Sequence, residues 1–158
     1  MRILGIDPGT RITGYGLILK NGRSIEHIDN GLIVNKADSP APLKLQNIFE
    51  QLSRIIRDFK PDVVALEDIF VSQNVKSSLK LGQARGVVML AAAQAGVAVV
   101  EYPPAQVKQA IASFGQATKE QVQKMVRLHL KLGEVAAEDA SDALAVALCH
   151  AQTQRWGQ

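Results

Sequence analysis

Residues 2–20 read Arg2-Ile3-Leu4-Gly5-Ile6-Asp7-Pro8-Gly9-Thr10-Arg11-Ile12-Thr13-Gly14-Tyr15-Gly16-Leu17-Ile18-Leu19-Lys20, and Asn21-Gly22-Arg23 leads on to Ser24–Val34. The apolar run Arg2–Asp7 ends in Asp7-Pro8-Gly9-Thr10, the pattern of a strand followed by a tight turn. Ile12–Lys20 reads as a second strand carrying Gly14 and Gly16. Asn21-Gly22 is the favoured dipeptide of a two-residue type I′ hairpin, with Ser24–Val34 as the returning strand. Three strands in an antiparallel meander therefore open the fold.

Helix and strand alternate after that. Leu45, Ile48, Phe49, Leu52, Ile55, Ile56 and Phe59 recur at helical spacing over Pro42–Phe59, and Lys60-Pro61 ends the helix. Asp62–Glu67 is nearly continuous in apolar residues, as a strand buried on both faces is. A helix over Ser77–Ala95, a strand over Val97–Tyr102 and a short helix from Pro103-Pro104 to Ile111 follow. Thr118-Lys119-Glu120-Gln121 has the form of a capping box and starts a helix that runs to Leu132-Gly133; a last helix covers Ala136–Gln154. The order β-β-β-α-β-α-β-α-α-α predicts an α/β fold with a five-stranded mixed β-sheet flanked by α-helices.

The 158 residues suit one domain spanning 1–158, long enough to bury roughly 70% of the unfolded surface. Hydrophobic residues at 47% and charged residues at 21% exclude a disordered or fibrous chain. A single cysteine, Cys149, excludes an intramolecular disulfide and a Cys-rich zinc site, which suits a reducing, cytoplasmic setting. The N-terminal apolar run is too short for a signal peptide. Gly86–Val100, the longest apolar stretch, falls short of the ~20 residues of a membrane span.

Chemistry is expected where strands end. Asp7 and Glu67 each follow an apolar strand, where an acid costs desolvation unless a donor or cation meets it. A turn-capping Asp or an acid reaching water is the plainer alternative for each alone. Glu138-Asp139-Ala140-Ser141-Asp142 opens the last helix; both Glu138 and Asp139 share a face with Asp142, and spacing does not choose between them. Helix-dipole stabilisation is the plainer reading of those acids. Taken together, carboxylates from two strand ends and a helix start form an oxygen-only set. Such a set suits Mg²⁺ or Mn²⁺, and two ions about 3.5–4 Å apart would clamp a phosphodiester displacement.

Other chemistries lack their residues. The glycines of Gly9-Thr10-Arg11-Ile12-Thr13-Gly14 are followed by Tyr15-Gly16, not by the Lys-Ser/Thr of a P-loop. His27 reads as a strand residue, His129 and His150 as helix-surface residues, and Cys149 as packing in the last helix. Basic residues cluster between Phe70 and Leu132: Lys76, Lys80, Arg85, Lys108, Lys119, Lys124, Arg127 and Lys131 stand against Glu101 and Glu120, a net of 8 − 2 = +6. Solvated helix faces carry such charge commonly, but beside an acidic site it suits a phosphate backbone.

With these residues in place, the chain resembles the bacterial Holliday junction resolvases, crossover junction endodeoxyribonucleases of the RNase H-like superfamily. Gly5-Ile6-Asp7-Pro8-Gly9-Thr10 with Thr13-Gly14-Tyr15-Gly16 resembles the opening strands of that family, and Leu66-Glu67-Asp68-Ile69-Phe70 its second acidic motif. Ser78-Leu79-Lys80-Leu81-Gly82-Gln83-Ala84-Arg85-Gly86 is similar to its most recognisable helix, and Glu138–Ala145 to its last acidic motif. The resemblance implies an RNase H-like fold and a metal-dependent endonuclease. It would resolve four-way DNA junctions in recombination and repair by paired symmetric cuts that leave 5′-phosphate and 3′-hydroxyl ends.

It further implies that Asp7, Glu67, Asp139 and Asp142 are the catalytic, metal-binding acids, and that Lys108 and Lys119 lie near the scissile phosphate. Phe70 matches an aromatic that contacts unstacked bases, a core Phe being the alternative; Lys76, Lys80, Arg85 and Lys124 join the expected DNA contacts. The implied partners are junction DNA, a second copy of the chain and the RuvA–RuvB branch-migration complex; the apolar excess of the Leu79–Ala93 helix (Val87, Val88, Met89, Leu90) makes it the candidate dimer interface, a central core helix being the alternative. Two rivals stand beside this: a non-catalytic DNA-binding module, and an actin-like or sugar-kinase phosphate lobe suggested by Asp7-Pro8-Gly9-Thr10.

Overall fold

The structure, a computed structural model, describes residues 1–68, 74–112 and 115–153. Five strands, β1 (Arg2–Asp7), β2 (Ile12–Asn21), β3 (Ser24–Val34), β4 (Val63–Glu67) and β5 (Ala98–Tyr102), form one sheet in the order β3-β2-β1-β4-β5. β1 pairs antiparallel with β2 and parallel with β4, so the sheet is mixed, as expected. The β2–β3 hairpin differs in one detail. Asn21 pairs with Ser24, which leaves Gly22-Arg23 as the turn. Gly22 has φ 57 while Arg23 does not take a positive φ, the pattern of type II′ rather than I′.

Among the described residues, five helices cover the sheet: α1 (Ala41–Phe59), α2 (Val75–Gln94), α3 (Pro104–Ala112), α4 (Lys119–Leu130) and α5 (Glu138–Thr153). Alternation along each strand sends side chains to two separate cores. Leu4, Ile6, Leu17, Val64 and Leu66 pack with Ile48, Leu52, Ile56, Ala84 and Val88 of α1 and α2. Ile3, Ile18, Val63, Ala65 and Tyr102 pack with α3, α4 and α5 on the other side. Leu144 and Leu148 of α5 are fully buried there, each contributing about 1.5–3 kcal/mol over an exposed position.

α5 lies unusually close to the strands. A Cβ on Gly5 would overlap the Ala143 carbonyl, one on Gly14 the Asp139 carbonyl, and one on Gly16 the Leu144 side chain. These glycines share strand parity with Ile3 and Ile18, so the helix backbone rests directly on β1 and β2. Helix ends shift by one or two residues from expectation, α2 for example running Val75–Gln94 rather than Ser77–Ala95. α4 stops at Leu130 because Lys131 takes a left-handed conformation (φ 54), and α5 begins at Glu138 rather than Ala136. Among the described residues, no helix is long and apolar enough to cross a membrane.

Candidate active site

Strand parity aims Asp7 and Glu67 the same way. Asp7 follows Ile3 and Gly5, and Glu67 follows Val63 and Ala65, all on the α5 side of the sheet. β1 and β4 are parallel neighbours with Ile6 opposite Leu66, so both acids emerge at the same end of adjacent strands. Because Gly14 lets the first turn of α5 settle at this end, Asp139 and Asp142 arrive above them. The electrostatics register the convergence. Burial, then Asp142, Asp139 and Glu67, push the Asp7 carboxyl up to about 7. Burial followed by Asp142 also raises Glu67, and burial raises Asp142 against the pull of Lys119.

Two lysines complete the cleft. Glu67, Val107, Lys108, Lys119, Val122, Asp142 and Ala145 line a cavity of about 80 Å³. Thr118 caps α4 through a full capping box with Gln121, which sets Lys119 at the first helical position. Its ammonium donates to Glu138 Oε1 at 2.7 Å and lies 3.6 Å from Asp142 Oδ2. The hydrogen bond to Glu138 is the largest cause of its raised pKa. Glu138, one of the two acids that spacing left open, therefore faces the lysine.

An all-oxygen set this strongly coupled fits a hard divalent cation. As they stand, no three His, Cys, Asp or Glu side chains among the described residues are gathered tightly enough to enclose one. The carboxylates are neighbours in charge without forming a closed ligand shell.

Lys76 and Lys80 are exposed on the first turns of α2, and Lys124 is exposed on α4. Arg85 departs from expectation: it is 7% exposed, donates to the Glu67 carbonyl and pairs with Glu101, so its guanidinium is not offered to DNA. His150 also departs. It is buried, not on the surface, with Nδ1 2.6 Å from the Tyr102 hydroxyl, and burial lowers its pKa. His129 is exposed on α4, His27 lies in β3, and Cys149 is buried in α5. Phe70 lies outside the described residues. The roles of Arg85 and Glu138 escaped the sequence reading; the one available signal was the i,i+4 relation of Glu138 to Asp142.

The family model described as "Crossover junction endodeoxyribonuclease RuvC" matches residues 3–150. The enzyme of that name from Syntrophotalea carbinolica is 58% identical over 151 residues, covering 96% of this chain and 94% of the relative. Among solved structures, T. thermophilus RuvC in complex with a Holliday junction substrate superposes with a TM-score of 0.94 at 36% identity, over 99% of this chain and 96% of that one. The yeast mitochondrial Holliday junction resolvase Ydc2, at 14% identity and a TM-score of 0.68 over 97% of this chain and 80% of that one, shares the fold. By the family match and by identity along nearly its whole length, the chain belongs to the RuvC family of crossover junction endodeoxyribonucleases.

Proposed function

We propose that this chain, as one domain over residues 1–158, resolves four-way DNA junctions in recombination and repair by metal-dependent hydrolysis of phosphodiester bonds. One observation carries the reading: Asp7 and Glu67 emerge side by side beneath the first turn of α5, and Glu67 and Asp142 line a cleft with Lys108 and Lys119. Asp7, Glu67, Asp139 and Asp142 would hold Mg²⁺ or Mn²⁺, two ions per site. Bound there, such ions would supply Lewis-acid stabilisation of the charge that develops around phosphorus and would activate the attacking water.

The chain's own residues do the rest. Burial, then repulsion from the neighbouring acids, holds the Asp7 carboxyl up at about 7, so the site is poised to take up positive charge. Lys108 and Lys119 stand on the wall of the cleft, where a phosphate oxygen would lie. Lys119 has a carboxylate to leave, Glu138, when a phosphate arrives. Positioning and charge stabilisation of this kind account for most of the rate in phosphoryl chemistry. Lys76, Lys80 and Lys124, exposed on α2 and α4, would follow the backbone of the junction arms.

A junction needs two cuts, which suits a two-fold dimer. α2 supports one. Val75, Leu79, Gly82, Gly86 and Leu90 fall on one exposed stripe, opposite the buried Ala84, Val88, Ala91 and Ala92. Leu79 is 65% and Leu90 51% exposed, and a Cβ on Gly82 or Gly86 would meet nothing within 4 Å. A second α2 would cover those apolar side chains and approach closely over the glycines. By family resemblance the RuvA–RuvB complex is a further partner and the cytoplasm the setting.

The test offers a synthetic four-way junction and a linear duplex of the same arms, each with Mg²⁺ or Mn²⁺. Paired nicks in the junction alone, with ligatable ends, are expected; no cutting with either ion would refute the reading. Asp7→Asn should lower cutting by at least about 1,000-fold while junction affinity stays within threefold of the parent. Loss of binding in parallel would make Asp7 a structural residue.

A further inference from the structure

We infer that Arg85, with Glu101, is a positioning residue that grips the main chain of Glu67 from behind the sheet. Its importance for the reaction rests on the function proposed above. β4 ends at Glu67, where the ladder with β5 closes with Glu67 opposite Tyr102 and the Asp68 N–H donating to the Tyr102 carbonyl at 2.8 Å. The trans peptide that turns the Asp68 N–H to β5 turns the Glu67 carbonyl to β1, where the next residue is Pro8, which has no N–H to give. The Glu67 carbonyl takes its hydrogen bond instead from Arg85 Nη1, at 2.6 Å.

The other arm of the guanidinium holds β5. Arg85 Nη2 donates to the Glu101 carboxylate and lies 3.8 Å from Asp68 Oδ1. Leu66 pairs with Glu101 in the register and packs in the α1–α2 core, so Glu101 faces α2. Glu67 and Tyr102, one residue on, face α5. The Glu67 carboxylate therefore works on one side of the sheet while its own carbonyl is held from the other.

The Arg85 side chain is 8% exposed, against 40% for Glu101 and 56% for Asp68. A buried ion pair of this kind is weak evidence for stability, because desolvation offsets most of the attraction. Its geometry has a clearer consequence. A planar fork bonded to two strand ends removes the freedom of the Glu67 backbone to tilt, which a lysine, with one ammonium, does less well. Glu67 needs that restraint most, because its strand is five residues long and the chain leaves the sheet directly after it.

The experiment compares the parent protein with Arg85→Gln, Arg85→Lys and Glu101→Gln in single-turnover cleavage of a four-way junction at saturating protein with Mg²⁺. Junction Kd, its salt dependence, and the hydrogen exchange of the Asp68 amide are followed alongside. Arg85→Gln should cut roughly 10- to 100-fold more slowly, the scale of a small misplacement of a reacting group, with Kd and salt slope within twofold of the parent. Its Asp68 amide should exchange at least tenfold faster, and Arg85→Lys should recover part of both losses. A cleavage rate within twofold of the parent would overturn the inference, even if the melting temperature fell. So would a loss confined to Kd with a shallower salt slope, the signature of a DNA contact. If Arg85→Gln does not fold, Glu101→Gln is judged by the same two readouts. If the parent itself cuts no junction, the proposed function fails, whereas the Asp68 exchange rate still decides whether the clamp exists.

Discussion

Asp7 concentrates the cost of the site in one side chain. Its carboxyl titrates near 3.9 in an unfolded chain and at about 7 in the fold. Between those values the folded state holds a proton that the unfolded state has released, so stability falls as pH rises through that window. Below it both states are protonated and the penalty vanishes; above it the penalty is complete. Glu67 and Asp142 shift in the same direction, with burial the largest cause for each. Metal-free protein should therefore lose melting temperature between pH ~4 and ~7 in the part of its profile that Asp7→Asn flattens. At pH 8 in chelator, Asp7→Asn should melt roughly 2–6 °C above the parent. A variant that melts lower would show the carboxylate to be stabilising. Residues that favour function over stability in this way are expected at sites that bind charge.

At the scale of elements, α5 on β1–β2 sets the height of two acids above the other two. The contact is backbone on backbone, with Gly14 under the Asp139 carbonyl. Gly14→Ala has nowhere to put its methyl group, since the nearest atoms belong to the helix main chain. Either the first turn of α5 lifts or β2 sinks. The cost should be about 1–3 kcal/mol in denaturant unfolding, with junction cutting at saturating Mg²⁺ reduced at least about tenfold. Gly133→Ala, where an added Cβ meets nothing within 4 Å, should stay within about 0.5 kcal/mol of the parent. If the two variants proved equally stable and equally active, the glycine cradle would not set the acid geometry. α4 makes the complementary contribution by presenting Lys119 from a capped N-terminus.

For the whole molecule, the mild net charge of +3 conceals a division: Asp7, Glu67, Asp139 and Asp142 meet at the first turn of α5, and the segment Phe70–Leu132 carries the basic excess. The exposed stripe of α2 adds an apolar surface to that polar one. If it is the seam of a dimer, Leu90→Glu combined with Leu79→Lys should turn a dimeric protein into a monomer in light scattering at matched concentration. A folded monomer should then nick one strand of a junction without coordinating the second. Persistence of the dimer would move the interface elsewhere on the surface. α2 is apolar on both sides, which is why its sequence did not distinguish a central core helix from an interface helix; burial of Ala84 and Val88 with exposure of Leu79 and Leu90 separates the two faces.

Local sequence determined the elements, because short-range physics creates their signals. Apolar runs ending at Asp7 and Glu67, the helical period over α1 and the capping box at Thr118 all act within a few residues. The same local patterns pointed to the acids as strand-end and helix-start residues. Tertiary structure decided what depends on partners distant in the chain. It joined Lys119 to Glu138 across 19 residues, buried His150 against Tyr102 across 48, and turned Arg85 inward to Glu101 and the Glu67 carbonyl. A charged residue on an amphipathic or doubly apolar helix carries no local mark of which face the fold will bury. Its role is set only when the strand ends it meets, here β4 at the Glu67 carbonyl and β5 at Glu101, are brought against it.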